Sequence, residues 1–325
     1  MFRTEIEELS YSYKIDHKSG LLTIGSCFSD TIGSKLEKAK FDTLINPFGT
    51  VFNPLSIFKL LSESLNGTEL DEQSILERDS LYLSHHLHTS ITGETKDKLH
   101  ERFVEIGKDT LTQLKKAKVL FITLGTAWVY ESKESGQLVS NCHKVPQKHF
   151  TRRLLQLDEI LNEFFQLKEQ LDHINPELKV VLTLSPVRHT KDTLQGNAIS
   201  KSLLRTACHY LSEMANNVDY FPAYEIVMDD LRDYRFFESD LIHPNEQAID
   251  YIWTKFSTAF MNPDTLELIA EIGKVQSAIA HRAFNADSKN HQAFLARTLR
   301  RARELDKQIN LNHEIKVLRS RLNND

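Results

Sequence analysis

The stretch "LLTIGSCFSDTIGSKLEKAKF", Leu21 to Phe41, decides how the rest of the chain is read. Leu21, Leu22, Thr23 and Ile24 form an apolar, partly β-branched run of the kind that makes a strand buried on both faces. Gly25 breaks the run. Beyond it Phe28, Ile32 and Leu36 recur every four residues, as on one face of a helix. A strand that turns at one glycine into a helix is the opening half of a βαβ unit. Ser26 and Cys27 stand at the turn, so a hydroxyl and a thiol both sit where a helix begins.

Two further runs repeat the strand signal, "KVLFITLG" at 118–125 and "LKVVLTLSP" at 178–186; each stops at Gly or Pro. Helical spacing lies between and after them: Leu154, Leu157, Leu161, Phe164 and Leu171; then Leu203, Leu204, Ala207, Leu211 and Ala215; then Ala248, Ile249, Ile252, Trp253 and Phe256. Strands alternating with helices predict an α/β fold on a parallel sheet. Two segments break the alternation, 82–93 and 128–141. The second reads as a hairpin turning at Lys133 to Gly136. From Asn262 the pattern is helical, with Leu295, Leu299, Ala302, Leu305 and Ile309 three or four apart. The expected organisation is an α/β catalytic domain over 1–262 and a helical extension over 263–325. That extension either packs on the domain or joins copies into a homo-oligomer.

Composition narrows the class. A chain of 325 residues with 40% hydrophobic and 26% charged residues can bury a large core. The net charge of −5 gives no reason to expect nucleic acid as a partner. The charge is uneven, however: 282–325 holds ten Lys/Arg against five Asp/Glu, on an otherwise acidic chain. Docking on the protein's own acidic body is the plainest use of such a tail. Cys27, Cys142 and Cys208 are widely spaced and form no CxxC pair, which argues against a disulfide framework or a cysteine zinc site. The N-terminus has no apolar run of the signal-peptide kind, and no apolar run is long enough to span a bilayer. The expected setting is cytoplasmic.

In an open parallel sheet, ligands sit outside the carboxyl ends of the strands. Ser26 follows the first strand directly. At a helix start it meets free N–H groups and the positive end of the dipole, which favour an anion such as the oxyanion of ester attack. Serine needs a base, and "FFESDLIHPNEQ" at 236–247 offers one: Asp240 and His243 lie three residues apart, just before a helix entered through Pro244. The bland role for Ser26 is a helix cap, which is compatible with the chemical one. Cys27 in the same turn reads as packing. His85, His86 and His88 invite a metal, but no third ligand stands at a suitable spacing, so neither a metal nor another cofactor is called for. His143, Arg188 and His189 fall in loops at the carboxyl edge, and with Trp128 they are candidates for substrate contact. The aromatic-rich segment 220–237 reads mostly as core, with Tyr234 kept as a possible sugar platform.

Six stretches, in order, resemble the GSCFA domain family: "GSCF" (25–28), "INPFGTVFNP" (45–54), "LGTAWVY" (124–130), "NCHKVP" (141–146), "LSPVRHTKD" (184–192) and "YFPAYEIVMDDLRDYRFFESDLIHP" (220–244). The segment 281–294, "HRAFNADSKNHQAF", is similar to the family's C-terminal region, and Ser29 replaces the alanine of the name. The resemblance implies the SGNH, or GDSL-like, hydrolase superfamily and its three-layer α/β/α, flavodoxin-like sheet. It implies a nucleophile at Ser26 and an acid–base pair at Asp240 and His243, the residues reached above. It also implies an oxyanion hole from the Ser26 amide, a glycine matched by Gly49, and an asparagine. Ala127 stands where that asparagine would be, leaving Thr126 or Asn141 as substitutes.

The expected function is a serine esterase that removes a small acyl group, acetyl by superfamily habit, from a small-molecule or glycan ester. The same triad would serve an acyltransferase. The missing asparagine motivates a third reading, a binding module without catalysis.

Overall fold

In the computed structural model, which describes residues 4–281, 284 and 288–322, the opening strand β1 (Gly20–Gly25) leads into α1 (Cys27–Lys38). There follow β2 (Thr43–Ile45), α2 (Pro54–Asn66), the ribbon β3 (Ile75–Arg78) and β4 (Leu81–Ser84), and α3 (Lys96–Lys116). Next come β5 (Ala117–Leu124), β6 (Trp128–Ser132), β7 (Leu138–Val139), β8 (Phe150–Leu154) and α4 (Leu157–Ile174). The body closes with β9 (Lys179–Leu184), α5 (Thr193–Met214), β10 (Val218–Phe221), the single turn α6 (Ala223–Glu225) and α7 (Glu246–Phe260). Three helices end the chain: α8 (Pro263–Ala280), α9 (Lys289–Leu305) and α10 (Asn312–Leu322).

Five strands form one parallel sheet in the order β2-β1-β5-β9-β10. Counted within the sheet this is the flavodoxin-like order 2-1-3-4-5, whose direction reverses between β1 and β5. Alternate residues feed two cores. Leu22, Ile24, Leu120, Ile122, Val180 and Leu182 pack into a core with α2 to α5. Leu21, Val119, Phe121 and Val181 face a second core shared with α1 and α7. Two apolar faces on one sheet explain why the long strands read as unbroken apolar runs.

The sequence marked three strands of this sheet, and the structure has five. β2 is three residues long, and β10, "VDYF", lies inside the segment read for its aromatics; both are strands because β1 and β9 offer them partners. The hairpin at 128–141 forms, and β8 pairs with β6 on its other side, so Leu154 ends a strand and the helix begins at Leu157. No helix among the described residues is long and apolar enough to cross a membrane.

The last three helices share an apolar cluster of their own around Ile272, Val275, Leu295, Ala302, Leu311 and Leu318. Polar ties join them to the end of α1: Lys40 Nζ lies 2.6 Å from Glu314 Oε1, and Gln276 donates to the Lys38 carbonyl at 2.8 Å. Of the segment 281–294, 282, 283 and 285–287 lie outside the described residues.

Candidate active site

Ser26 stands at the switch point of the sheet, at the carboxyl end of β1. It is the N-cap of α1, its Oγ accepting from the Phe28 amide at 3.4 Å, and it is 1% exposed. The turn before it requires glycine. Gly25 has φ +139°, and a Cβ there would meet the Thr123 carbonyl oxygen at 2.1 Å. The neighbouring loop clamps this corner: Gly25 N–H donates to Asn46 Oδ1 at 2.8 Å, and Val51 N–H to the Gly25 carbonyl at 2.9 Å. Asn46 in turn donates to Asp30 at 2.7 Å.

Asp240 and His243 are built on one turn. Glu238 N–H donates to the His243 carbonyl at 2.7 Å and Leu241 N–H to the Glu238 carbonyl at 2.9 Å. Asp240 Oδ1 accepts from the amides of Ile242 and His243 at 2.9 and 3.0 Å, and its Oδ2 lies 2.6 Å from His243 Nδ1. These bonds, led by the His243 amide, hold the Asp240 carboxyl down at about 2. A carboxylate at Nδ1 keeps the proton there and leaves Nε2 as the basic nitrogen. Asn245 caps α7 immediately after, accepting from the Ala248 amide at 3.1 Å.

Ser26 and His243 line the same open cavity of about 500 Å³. No hydrogen bond joins Ser26 Oγ to His243 among the described residues. The walls hold four more of the predicted residues, Thr126, Trp128, Arg188 and His189. Trp128 is pinned by its Nε1–H to the Gly196 carbonyl at 3.0 Å and carries the Arg152 guanidinium 4.0 Å above its ring, while Arg152 pairs with Asp192. Arg188 lies 5.0 Å over Phe237. His189 meets Phe52 edge-on at 5.4 Å; burial, with Lys201 and His243 pushing the same way, brings it down to about 4, so it is neutral at pH 7.

The expected oxyanion donors require correction. The Ser26 amide donates to the Thr123 carbonyl at 3.1 Å, continuing the sheet, and the Gly49 amide donates to the Asn46 carbonyl at 2.7 Å, closing a turn. Gly49 lies off the cavity with its φ of +70° facing His88, where a Cβ would come within 2.3 Å. Asn141 and His143 are also off the cavity. Asn141 donates to Thr89 and accepts from the His143 amide, and buried His143 has its Nε2 2.7 Å from the Ser84 carbonyl. Thr126 does reach the cavity. Its Oγ1 accepts from Trp128 N–H at 3.1 Å and lies 3.2 Å from Ser200 Oγ; with Ser200 donating, the Thr126 proton is left for the cavity.

Other candidates separate in the same way. Burial, with Asp30 nearby, pushes the Cys27 thiol up, away from the thiolate a nucleophile needs. Tyr234 is exposed and lies off the cavity. Among the described residues no three His, Cys, Asp or Glu side chains are grouped to hold a metal.

Sequence reasoning missed Phe52, Ser185, Ile242 and Asp192 on the cavity wall, and Lys201 beneath it. Lys201 is 1% exposed, and its Nζ donates to the carbonyls of Gly125 at 2.8 Å and Ser185 at 2.7 Å. A signal for it exists. Lys201 falls in register with Leu204, Cys208 and Leu211 on the buried stripe of α5, where a lysine is out of place.

Comparison with known proteins adds a family. The model of the GSCFA family matches residues 20–256, and that of the GSCFA domain protein C-terminal domain matches 272–324. A solved chain described provisionally as a platelet activating factor from Streptococcus pneumonia is 12% identical, over 74% of this chain and 83% of its own, with a TM-score of 0.38. A carbohydrate esterase family 3 chain from Talaromyces cellulolyticus is 13% identical, over 51% of this chain and 67% of its own, with a TM-score of 0.28. No curated protein matches.

Proposed function

The chain belongs to the GSCFA family, and from that premise we propose that it is a serine esterase of the SGNH type, with Ser26 as nucleophile and His243 and Asp240 as its acid–base pair. One observation carries the reading: Ser26, at a helix N-terminus, and His243, oriented by Asp240, line one cavity at the sheet's switch point. In the first half-reaction Ser26 Oγ bonds to the ester carbonyl carbon and its proton passes to His243 Nε2. The carbonyl π pair moves onto oxygen. Collapse of that oxyanion breaks the bond to the alcohol oxygen, which leaves with the proton from His243. Water, deprotonated by His243, then attacks the acyl-enzyme; the acid departs and Ser26 is restored. Asp240 keeps the imidazole oriented and supports its positive form.

The Cys27 N–H, first of α1 and without an intrahelical acceptor, and the Thr126 hydroxyl are the donors proposed for the oxyanion. The substrate proposed is a small acyl ester, acetyl foremost, of a hydroxylated compound such as a glycan. Trp128, Arg188 and His189 are proposed to contact it. Ser26→Ala should lower hydrolysis of p-nitrophenyl acetate at least about 10³-fold; a rate equal to the parent's refutes the mechanism.

A further inference from the structure

Lys201 is a buried amine with no counter-ion among the described residues. Its two hydrogen bonds go to carbonyl oxygens, and no carboxylate pairs with it among the described residues. A lone charge at 1% exposure is costly, and proteins keep one chiefly where an anion is to be met. Its position fits that use. Gly125 and Ser185 follow the adjacent strands β5 and β9, and Ser185 and Thr126 line the cavity together with Ser26. The Thr123 carbonyl that anchors the Ser26 amide is two residues before Gly125. Ser200, the preceding residue of α5, accepts from Ala127 N–H at 2.7 Å, so one turn of α5 fixes the loop that follows β5.

We propose that Lys201 sets a positive charge under the cavity floor that stabilises the oxyanion formed when Ser26 attacks an ester. The inference rests on Ser26 being the nucleophile. The ammonium has a third N–H beyond the two given to the carbonyls of Gly125 and Ser185, and a fixed positive charge near a developing oxyanion lowers its energy. The titratable groups beside it leave it unopposed. Burial holds Cys27 of α1 and Tyr224 of α6 in their neutral forms at pH 7, and His189 is neutral as well. Burial also draws Lys201 down to about 7. The charge is half present at that pH, complete about two pH units below it and lost above it, so the rate should fall on the alkaline side.

Lys201→Met should reduce kcat on p-nitrophenyl acetate about 10- to 100-fold, change KM less than about threefold, and abolish the alkaline fall in the pH profile. A lysine that merely ties two strand ends would leave that fall in place, and its persistence overturns the proposal. A second measurement needs no variant. Phenylboronic acid bonds to Ser26 Oγ as a tetrahedral boronate anion. By reciprocity it should raise the Lys201 titration, followed by the ¹³Cε resonance in lysine-labelled protein, by about one pH unit. An unmoved titration in boronate-bound protein overturns the proposal even if the variant fails to fold. Ser26→Ala separates the layers: lost activity in Ser26→Ala with full activity in Lys201→Met sinks this inference alone, and full activity in Ser26→Ala sinks the esterase reading as well.

Discussion

Asp240 keeps its charge through its own turn rather than through burial. Two amides and the imidazole share its oxygens, so its folded-state pKa lies below its unfolded one. The support it gives is therefore complete above about pH 4 and is lost only as pH falls through about 2. Asp240→Asn retains an oxygen for the two amides but loses the negative partner at Nδ1. Activity should drop about 10²- to 10⁴-fold with little change in melting temperature, checked by esterase assay and thermal unfolding on one preparation. Spacing made this pair legible in sequence, because three residues on one turn place a carboxylate beside an imidazole. The engaged amides of Ser26 and Gly49 were not legible, since their acceptors, Thr123 and Asn46, are chosen by strand pairing and a turn. Lys201 was hidden differently: a helix pattern counts a lysine as surface, although its register with Leu204, Cys208 and Leu211 puts it on the buried stripe of α5.

The strand-to-helix corner of β1 and α1 depends on one backbone conformation. Gly25→Ala would force a methyl onto the Thr123 carbonyl at a φ that L-residues rarely adopt. It should destabilise the protein by about 3 kcal/mol or more, read from urea unfolding, or leave it unfolded. This corner is what the opening stretch displays most openly, with an apolar run, a glycine and a four-residue period. Other elements show the limits of pattern. β2 is too short for any period, and β10 takes its place by pairing with β9. Helix α2 is absent from the sequence expectations although its ends are spelled out. Asn53 accepts from Ser56 N–H at 2.9 Å, Pro54 opens the helix, and Gly67 closes it in the left-handed conformation.

At the scale of the whole chain, the helices α8 to α10 hold a separate apolar cluster and meet the body through Leu266 and Ile269 of α8, which pack against the core of α1 and α7, and through polar ties near the end of α1. We place the boundary of the extension at 262/263, where Asn262 caps α8 and Pro263 begins it. Leu318 is fully buried within that cluster. Leu318→Ala should weaken the extension by about 2–4 kcal/mol, seen as faster amide exchange in α8 to α10, while hydrolysis of p-nitrophenyl acetate stays within about twofold of the parent. Slowed hydrolysis would show that the extension shapes the cavity. Ile15 bridges to Met261, and its N–H donates to the Phe260 carbonyl at 2.7 Å, while Ile6, Leu9, Tyr11 and Tyr13 ahead of it pack on the core of α1 and α7. Between those two residues the polypeptide is nearly a closed ring. The chain therefore enters and leaves the sheet-bearing body at one place, so that whatever follows Met261 departs beside the segment that arrives at Ile15.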